Sequence, residues 1–353
     1  MASKYDSSLD KPVNGEEEWK KRWSVFGVSI SSVYYRKFSQ FIGCNVNIVP
    51  ANISRWYIES SLNDMRYDEF YEDKNNYDRI LPQGILPRTI LRMIAGVYYD
   101  KDYNILGNKD MSDESLNFYL KDEKRFIIKP TLDRETKSGY GVKLFHRENN
   151  RFIDTSGAIF SKDFLRKNYS EDFIIQEVLV QHDFFSQFNP TSVNGIRVVT
   201  YRSVKDEKIH VLHSIQKIGG KDMIFDNNYG VIVGIKDDGV LMDYVVSMRR
   251  YVKESCYNDI DFASAKFEVP YFEEIKKLAI SLSQCYPHHR LIAYDIMVDS
   301  NNKIRLIESN LSVRSYYTNY FHCTVGPAYG EYTDEIMEHA LKVKDQTHIN
   351  ISC

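Results

Sequence analysis

No apolar run in this sequence approaches the ~20 residues that a membrane-crossing helix needs, so none of it reads as a span. Cysteine is scarce. The five present (Cys44, Cys256, Cys285, Cys323 and Cys353) are odd in number, lie far apart and form no CxxC pair. That spacing argues against a disulfide framework or a zinc site and for a reducing compartment. No charge of one sign dominates: 46 Lys and Arg against 49 Asp and Glu leave a net charge of −3. Composition therefore supplies no electrostatic pull toward nucleic acid or an anionic membrane. The opening "MASKYDSSLDKPVNGEEEWKK" lacks the apolar core of a signal peptide. The expectation is a cytoplasmic protein without a nucleic-acid partner. What is there is ordinary globular material: 353 residues, 43% hydrophobic and 27% charged, enough for two or three packed subdomains.

There is no internal repeat and no low-complexity segment. Residues 1–15 are expected to be disordered. From Glu16 to about Ile94 the pattern is mostly helical and aromatic-rich, broken by Pro50, Pro82 and Pro87. "DESLNFYLKD" (113–122) predicts a short amphipathic helix. Strand-like runs follow: "RFIIKP" (125–130), "FIIQEVLV" (173–180), "GIRVVTYRS" (195–203), "KIHVLHSIQKI" (208–218) and "YGVIVGI" (229–235). The helix "YFEEIKKLAISLSQCY" (271–286) puts Phe272, Ile275, Leu278, Ala279 and Leu282 on one face. "TDEIMEHALKV" is a last helix. The expected class is α+β with more than one sheet.

Against this background "LIAYDIMVDSNNKIRLIESN" (291–310) raises a question. Two apolar runs flank a polar turn, yet Asp295 sits inside the first and Glu308 ends the second. With Asn301 and Asn302 as a two-residue turn, Ser300 faces Lys303 and Asp295 falls opposite Glu308. Alternation then puts Asn310 on the face of Glu308, with Ile292, Ile296 and Ile307 packing behind. Two adjacent carboxylates repel unless a proton or cation lies between them. Hard oxygen ligands of this kind suit Mg²⁺ or Mn²⁺ held jointly with substrate phosphates. The plain alternative is a pair of solvent-facing acids on an edge hairpin.

Other residues could handle phosphate. Lys129 ends the strand "FIIKP" and can act as a fixed point charge. In "SGYGV", Gly139 and Gly141 would let backbone N–H groups approach phosphate oxygens, although many such loops are plain turns. Arg197 interrupts the apolar run "GIRVVTY", where a half-buried arginine wants an anionic partner unless it faces outward. Glu177 interrupts "FIIQEVLV" in the same way. His182, His213, His288 and His289 show no metal-ligand spacing, so packing roles are expected.

In this order the parts resemble the ATP-grasp superfamily. "FIIKP" with "SGYGV" looks like its lysine strand and phosphate-covering loop, and "FIIQEVL" like the hinge strand that holds adenine. "IRVVTY" resembles the arginine strand, and "DIMV…IESN" the paired-acid-plus-asparagine Mg²⁺ site. Upstream, "YEDKNNYDRILPQGILPRT" resembles the Asp-Lys element that supplies a first ATP lysine, here Lys74. "IIQEVLVQHDFFSQFNPTSVNGIRVVTY" with the later "FDNNYG" is similar to the sugar-transfer-associated ATP-grasp proteins of surface polysaccharide gene clusters. The resemblance spans about residues 70 to 330; the first 70 residues match nothing in it.

The resemblance implies an ATP-grasp fold with a helical or mixed N-terminal subdomain (1–110), a β-rich lid (111–180) and a C-terminal antiparallel-sheet catalytic domain (181–353). It implies ATP and Mg²⁺ (or Mn²⁺) as cofactors. Lys74 and Lys129 would clamp phosphates, while Ser138, Gly139, Tyr140 and Gly141 would close over them. Gln176, Glu177, Val178 and Leu179 would receive adenine, and Asp183, next to His182, the ribose. Asp295, Glu308 and Asn310 would hold the metal. Arg197 would stabilise the transferred phosphoryl group, and Arg314, with Tyr316 and Tyr317 nearby, would contact an acceptor. The loop departs from a glycine-richer pattern, having only Lys137 and Ser138 before its glycines. The implied chemistry phosphorylates a carboxylate, after which an amine displaces phosphate; both partners are small molecules, sugar-linked forms included. A kinase that stops at phosphoryl transfer, and a non-catalytic nucleotide-binding scaffold for glycosyltransferases, are the rival readings.

Overall fold

The computed structural model describes residues 7–132, 141–169, 171–220, 230–311 and 316–351. Two seven-stranded antiparallel sheets give the chain its α+β character. The first contains β1 (Thr89–Ile94), β2 (Val97–Tyr99), β3 (Ile105–Asn108), β4 (Arg125–Pro130), β5 (Lys143–Glu148), β6 (Arg151–Asp154) and β7 (Phe173–Glu177). Its order is β3-β2-β1-β7-β4-β5-β6. The second contains β8 (Ile196–Arg202), β9 (Ile209–Ile218), β10 (Val231–Ile235), β11 (Val245–Ser247) and β12 (Lys253–Glu254). A small ladder, β13 (Cys256–Tyr257) with β14 (Ile260–Asp261), stands apart. The hairpin of 291–310, β15 (Leu291–Val298) and β16 (Ile304–Asn310), completes the second sheet in the order β12-β11-β10-β9-β8-β15-β16.

Alternation decides which face of each sheet meets a core. In the first sheet Phe126, Ile128, Phe145, Phe173 and Ile175 face one side and pack with Leu116, Leu120 and Leu165 from two short helices. Ile127, Lys129, Ile174 and Gln176 therefore take the other face. In the second sheet Ile196, Val198, Ile292, Tyr294, Ile296 and Leu306 pack with the helix Phe272–Ser283. That helix buries Phe272, Ile275, Ala279 and Leu282, with Leu278 partly buried beside them.

The opposite face of the second sheet, carrying Val199, Ile215, Leu291 and Ala293, is covered by the N-terminal helices. Trp19 and Trp23 are fully buried there, and their indole N–H groups donate to the carbonyls of Ile48 (2.6 Å) and Val46 (2.8 Å). Each such ring contributes about 4–6 kcal/mol of transfer free energy as an upper bound.

These cores cross the expected subdomain boundaries. Residues before Leu62 share a core with the second sheet, whereas β1–β3, inside 1–110, belong to the first. β1 also corrects the helical expectation for 16–94, because "TILRMI" pairs with β2 and β7. Nor is all of 1–15 irregular: Ser7–Asp10 forms a 3-10 helix, and Arg36 Nη1 donates to the carbonyls of Leu9 and Asp10.

The hairpin reaches its register by a different route from the one the turn predicts. Val298 pairs with Ile304, and Asp299 N donates to Lys303 O, so the loop is 300–302 and Ser300 does not face Lys303. Asn302 takes φ +61°, the left-handed residue such a three-residue loop requires. A bulge between the Ile296–Leu306 and Asp295–Glu308 pairs, at Ile307, then restores the count. Asp295 ends opposite Glu308 because the two offsets cancel.

Candidate active site

Three charged residues lie in register across the second sheet, Glu308 on β16, Asp295 on β15 and Arg197 on β8; Lys217 on β9 joins them diagonally, two residues along from Ile215, the partner of Arg197. Arg197 lies directly across the ladder from Asp295 and donates through Nε to Oδ1 (2.8 Å) and through Nη2 to Oδ2 (2.7 Å). Lys217 Nζ stands 3.5 Å from the same Oδ2. Burial alone would raise the Asp295 carboxyl, but the charges of Arg197 and Lys217 hold it well below the usual carboxylate range. The sequence expectation placed Arg197 by its interruption of an apolar run. Lys217 stands in "HSIQKI", where His213, Ser214 and Gln216 are polar as well, so it breaks no apolar run and only the sheet brings it to Asp295.

Two further cations meet the acid end of this set, one from a turn and one from the first sheet. Lys74, 8% exposed, donates from Nζ to Glu308 Oε1 at 2.7 Å across 234 residues of chain. Its backbone N–H is held by Thr131 O at 3.1 Å, one residue beyond β4. Lys129 comes from β4 itself. Burial pushes its ammonium down to about 8; the positive charge of Lys74 adds to this and Glu308 opposes it. Glu308 also lies below its ordinary value: burial raises it, and the Lys74 pair outweighs that. The repulsion between the hairpin acids is thus answered in the protein by side-chain cations.

Asn310 joins the acids on this face and donates from Nδ2 to Ala293 O at 3.2 Å, which keeps Oδ1 as its acceptor end. Among the described residues, no three or more His, Cys, Asp or Glu side chains group as a metal site. The hairpin offers two carboxylates and one amide instead.

The hinge divides its roles by face. Glu177 is bound to Arg88: its backbone N–H donates to Arg88 O, and Oε1 accepts from Arg88 N at 2.8 Å. Gln176 lies on the side of Lys129, is buried, and donates Nε2 to Pro87 O at 3.4 Å. Its Oε1 is buried with no hydrogen-bond partner. Val178 and Leu179 are half-buried in the crossing to the second sheet, where Val180 O accepts from Ser300 N. Asp183 is exposed at the start of the short helix Asp183–Ser186.

Gly141 takes φ +74°, and a Cβ there would sit 2.7 Å from Pro130 Cγ. Only glycine fits at 141 this close to the end of β4. Ser138, Gly139, Tyr140 and Arg314, expected at the site, lie outside the described residues, as do Lys137, Asp226 and Asn227. Tyr316 and Tyr317 open the helix Tyr316–His322. The four histidines have local roles. His289 pairs with Asp68, His288 stacks on Tyr67 at 3.6 Å, His213 bonds Pro327 O, and His182 caps a helix.

A family model described as "Sugar-transfer associated ATP-grasp" matches residues 54–318. The chain belongs to that family. The match runs from ahead of Lys74 to beyond Asn310. No curated protein matches the chain. Among solved structures, the D-alanine-D-alanine ligase from Coxiella burnetii is similar at TM-score 0.44 and 11% identity, over 82% of this chain and 63% of that one. The ATP-grasp ligase PsnB, complexed with a phosphomimetic variant of its minimal precursor, Mg and ADP, is similar at TM-score 0.42 and 12% identity, over 93% and 74%. The N5-carboxyaminoimidazole synthase from Aspergillus clavatus, in complex with ADP and 5-aminoimidazole ribonucleotide, gives 0.38 and 7%, over 71% and 46%. The chain thus spans less than two thirds of the Coxiella and Aspergillus chains. No helix among the described residues is long and apolar enough to cross a membrane.

Proposed function

We propose that this chain is an ATP-dependent carboxylate–amine ligase acting through an acyl phosphate, in the cytoplasmic assembly of a bacterial surface polysaccharide such as a capsule. The observation that carries the reading is the meeting of Lys74, from the turn after Glu72, and Lys129, from the first sheet, with Glu308, Asp295, Arg197 and Lys217 on one face of the second. The residues fit ATP and Mg²⁺ on two grounds. Asp295, Glu308 and Asn310 form a hard oxygen set on one face. Gln176 Oε1 is a buried acceptor without a donor beside the hinge, suited to an adenine amino group.

In this reading Lys74 and Lys129 hold phosphate oxygens, and Gln176 with the 177–179 backbone receives the base. When bound at Asp295, Glu308 and Asn310, Mg²⁺ supplies charge neutralisation to the phosphates. A substrate carboxylate oxygen attacks the γ-phosphorus, the bond to the β-phosphate oxygen breaks, and ADP leaves. Arg197 donates to the transferred group as charge builds on it. An amine nitrogen then attacks the acyl carbon, losing one proton as phosphate departs. An amino acid or amine joined to a sugar acid fits this scheme.

Phosphorus NMR over a panel of amino-acid and sugar-acid pairs tests it. Free phosphate that appears only when both acceptors are present is the expected result. A new organophosphate signal would mark a kinase, and AMP with pyrophosphate would contradict ligase and kinase alike.

A further inference from the structure

We infer that Tyr103, in the loop between β2 and β3, is a positioning residue for Lys74 and acts through the backbone of the turn 73–76. The ligase reading above enters only through the phosphate role it gives Lys74. That turn stands at a junction. The short helices on either side, Asp68–Glu72 and Tyr77–Ile80, send Tyr71 and Tyr77 into the core of the second sheet. The turn itself is tied to the first. Lys74 N donates to Thr131 O at 3.1 Å, and Asn75 Nδ2 donates to Met93 O, on β1, at 2.9 Å. Asn75 O accepts twice, from the Tyr103 hydroxyl at 2.6 Å and from Nη1 of Arg92, also on β1, at 3.0 Å. Lys74 thus has its backbone on one sheet and its ammonium, through Glu308, on the other.

Tyr103 is held as a loop residue with no further task would not be. Its φ is +65°, a region in which a bulky side chain is strained. The loop fixes it there around Asp100, whose Oδ1 accepts from Asp102 N and Asn104 N, both at 2.8 Å. The guanidinium carbons of Arg79 and Arg92 stand 3.9 and 4.1 Å from the centre of its ring. Burial raises the phenol above its ordinary value, so the hydroxyl keeps the proton it donates. Arg92 is itself immobilised: it is fully buried, pairs with Asp78, and reaches Lys101 O in the same loop at 3.4 Å. The loop and the turn therefore share one guanidinium and one carbonyl. The structural alternative is that Tyr103 secures only the β2–β3 hairpin. Its loss would then loosen that edge and leave Lys74 in place.

Tyr103→Phe keeps the ring and deletes only the hydroxyl. MgADP binding is measured by calorimetry on the full chain, with this substitution made in wild type and in Lys74→Met. In wild type the affinity is expected to fall about three- to tenfold, the value of one neutral hydrogen bond that holds the binding-competent turn. In Lys74→Met it should change by less than about twofold, because a residue acting through Lys74 has nothing left to act on. No loss in wild type overturns the proposal, and so does an equal loss in both backgrounds, which is what a merely structural tyrosine gives. A wild type that binds no MgADP sinks the ligase reading instead. The positioning of Lys74 is then read without nucleotide, as the rate at which acetic anhydride labels Lys74, followed by mass spectrometry. Labelling at least about threefold faster in Tyr103→Phe supports it, and equal rates end it. This second measurement also decides should Lys74→Met fail to fold.

Discussion

Arg197 and Asp295 face each other across the β8–β15 ladder, and the guanidinium holds both carboxylate oxygens, at 2.8 and 2.7 Å. An ion pair of this geometry is strong only while both partners remain, since removing one leaves the other's charge buried. Asp295→Ala should therefore cost about 3–5 kcal/mol of stability, read from urea unfolding. It should also abolish the divalent-ion dependence of ATP binding by calorimetry. Wild-type ATP affinity that needs no divalent ion would rule out the metal site.

Lys74, in the turn after Glu72, donates to Glu308. Lys74→Met should weaken MgADP binding about tenfold or more, because a phosphate loses a charged donor in a buried setting. Lys74→Arg should recover only part, since a planar fork does not replace a point charge. Equal affinity for all three proteins would remove Lys74 from the nucleotide site.

At alkaline pH, Lys129 should govern nucleotide affinity. Its ammonium is pushed down to about 8 from 10.5, mainly by burial. Between those values the unfolded chain binds the extra proton and the folded one does not, so stability rises with pH through that window. MgADP binding, which wants the charged form, should instead weaken as pH passes about 8. Lys129→Met should flatten both profiles, and an unaltered pH dependence in that variant would assign the effect elsewhere.

Acid should act in the opposite sense through Asp295 and Glu308. Both carboxyls lie below their ordinary values, 3.8 and 4.5, in the fold. Their contribution is present above those values and is lost as pH falls through the lower, folded ones. The urea midpoint of wild type should drop steeply below about pH 4. The Asp295→Asn, Glu308→Gln double variant should start lower and fall less.

The hinge offers a pairwise contrast. Gln176→Leu removes the buried Oε1 and should weaken ATP about three- to tenfold, the value of one neutral hydrogen bond. Glu177→Gln disturbs the Arg88 contacts and should lower the melting temperature with little change in ATP affinity. The reverse pattern would return adenine recognition to the Glu177 side chain.

Much of this site was legible in the chain because charges inside apolar strands are expensive. Asp295, Arg197 and Glu177 each broke an otherwise apolar run and Lys129 ended one, and the order of these positions carried the family resemblance. The helix Phe272–Ser283 and strands β4, β8, β9 and β10 followed their periodicity to within a few residues. β1 did not. "TILRMI" has no clear alternation, and its strand form depends on pairing with β7, some eighty residues later. The contact of Glu177 with Arg88 was not legible, since nothing local to "FIIQEVL" indicates it.

The sequence by itself determined which charged groups had to be buried and that Glu308 and Asn310 would share a face, because side-chain alternation along a strand is a local property. Tertiary structure alone decided that Asp295 meets Glu308 through a three-residue loop and a compensating bulge, since register depends on both strands at once. It also decided which cation answers each acid. Lys74 reaches Glu308, and Arg197 and Lys217 share Asp295, because charge pairing depends on distance in space.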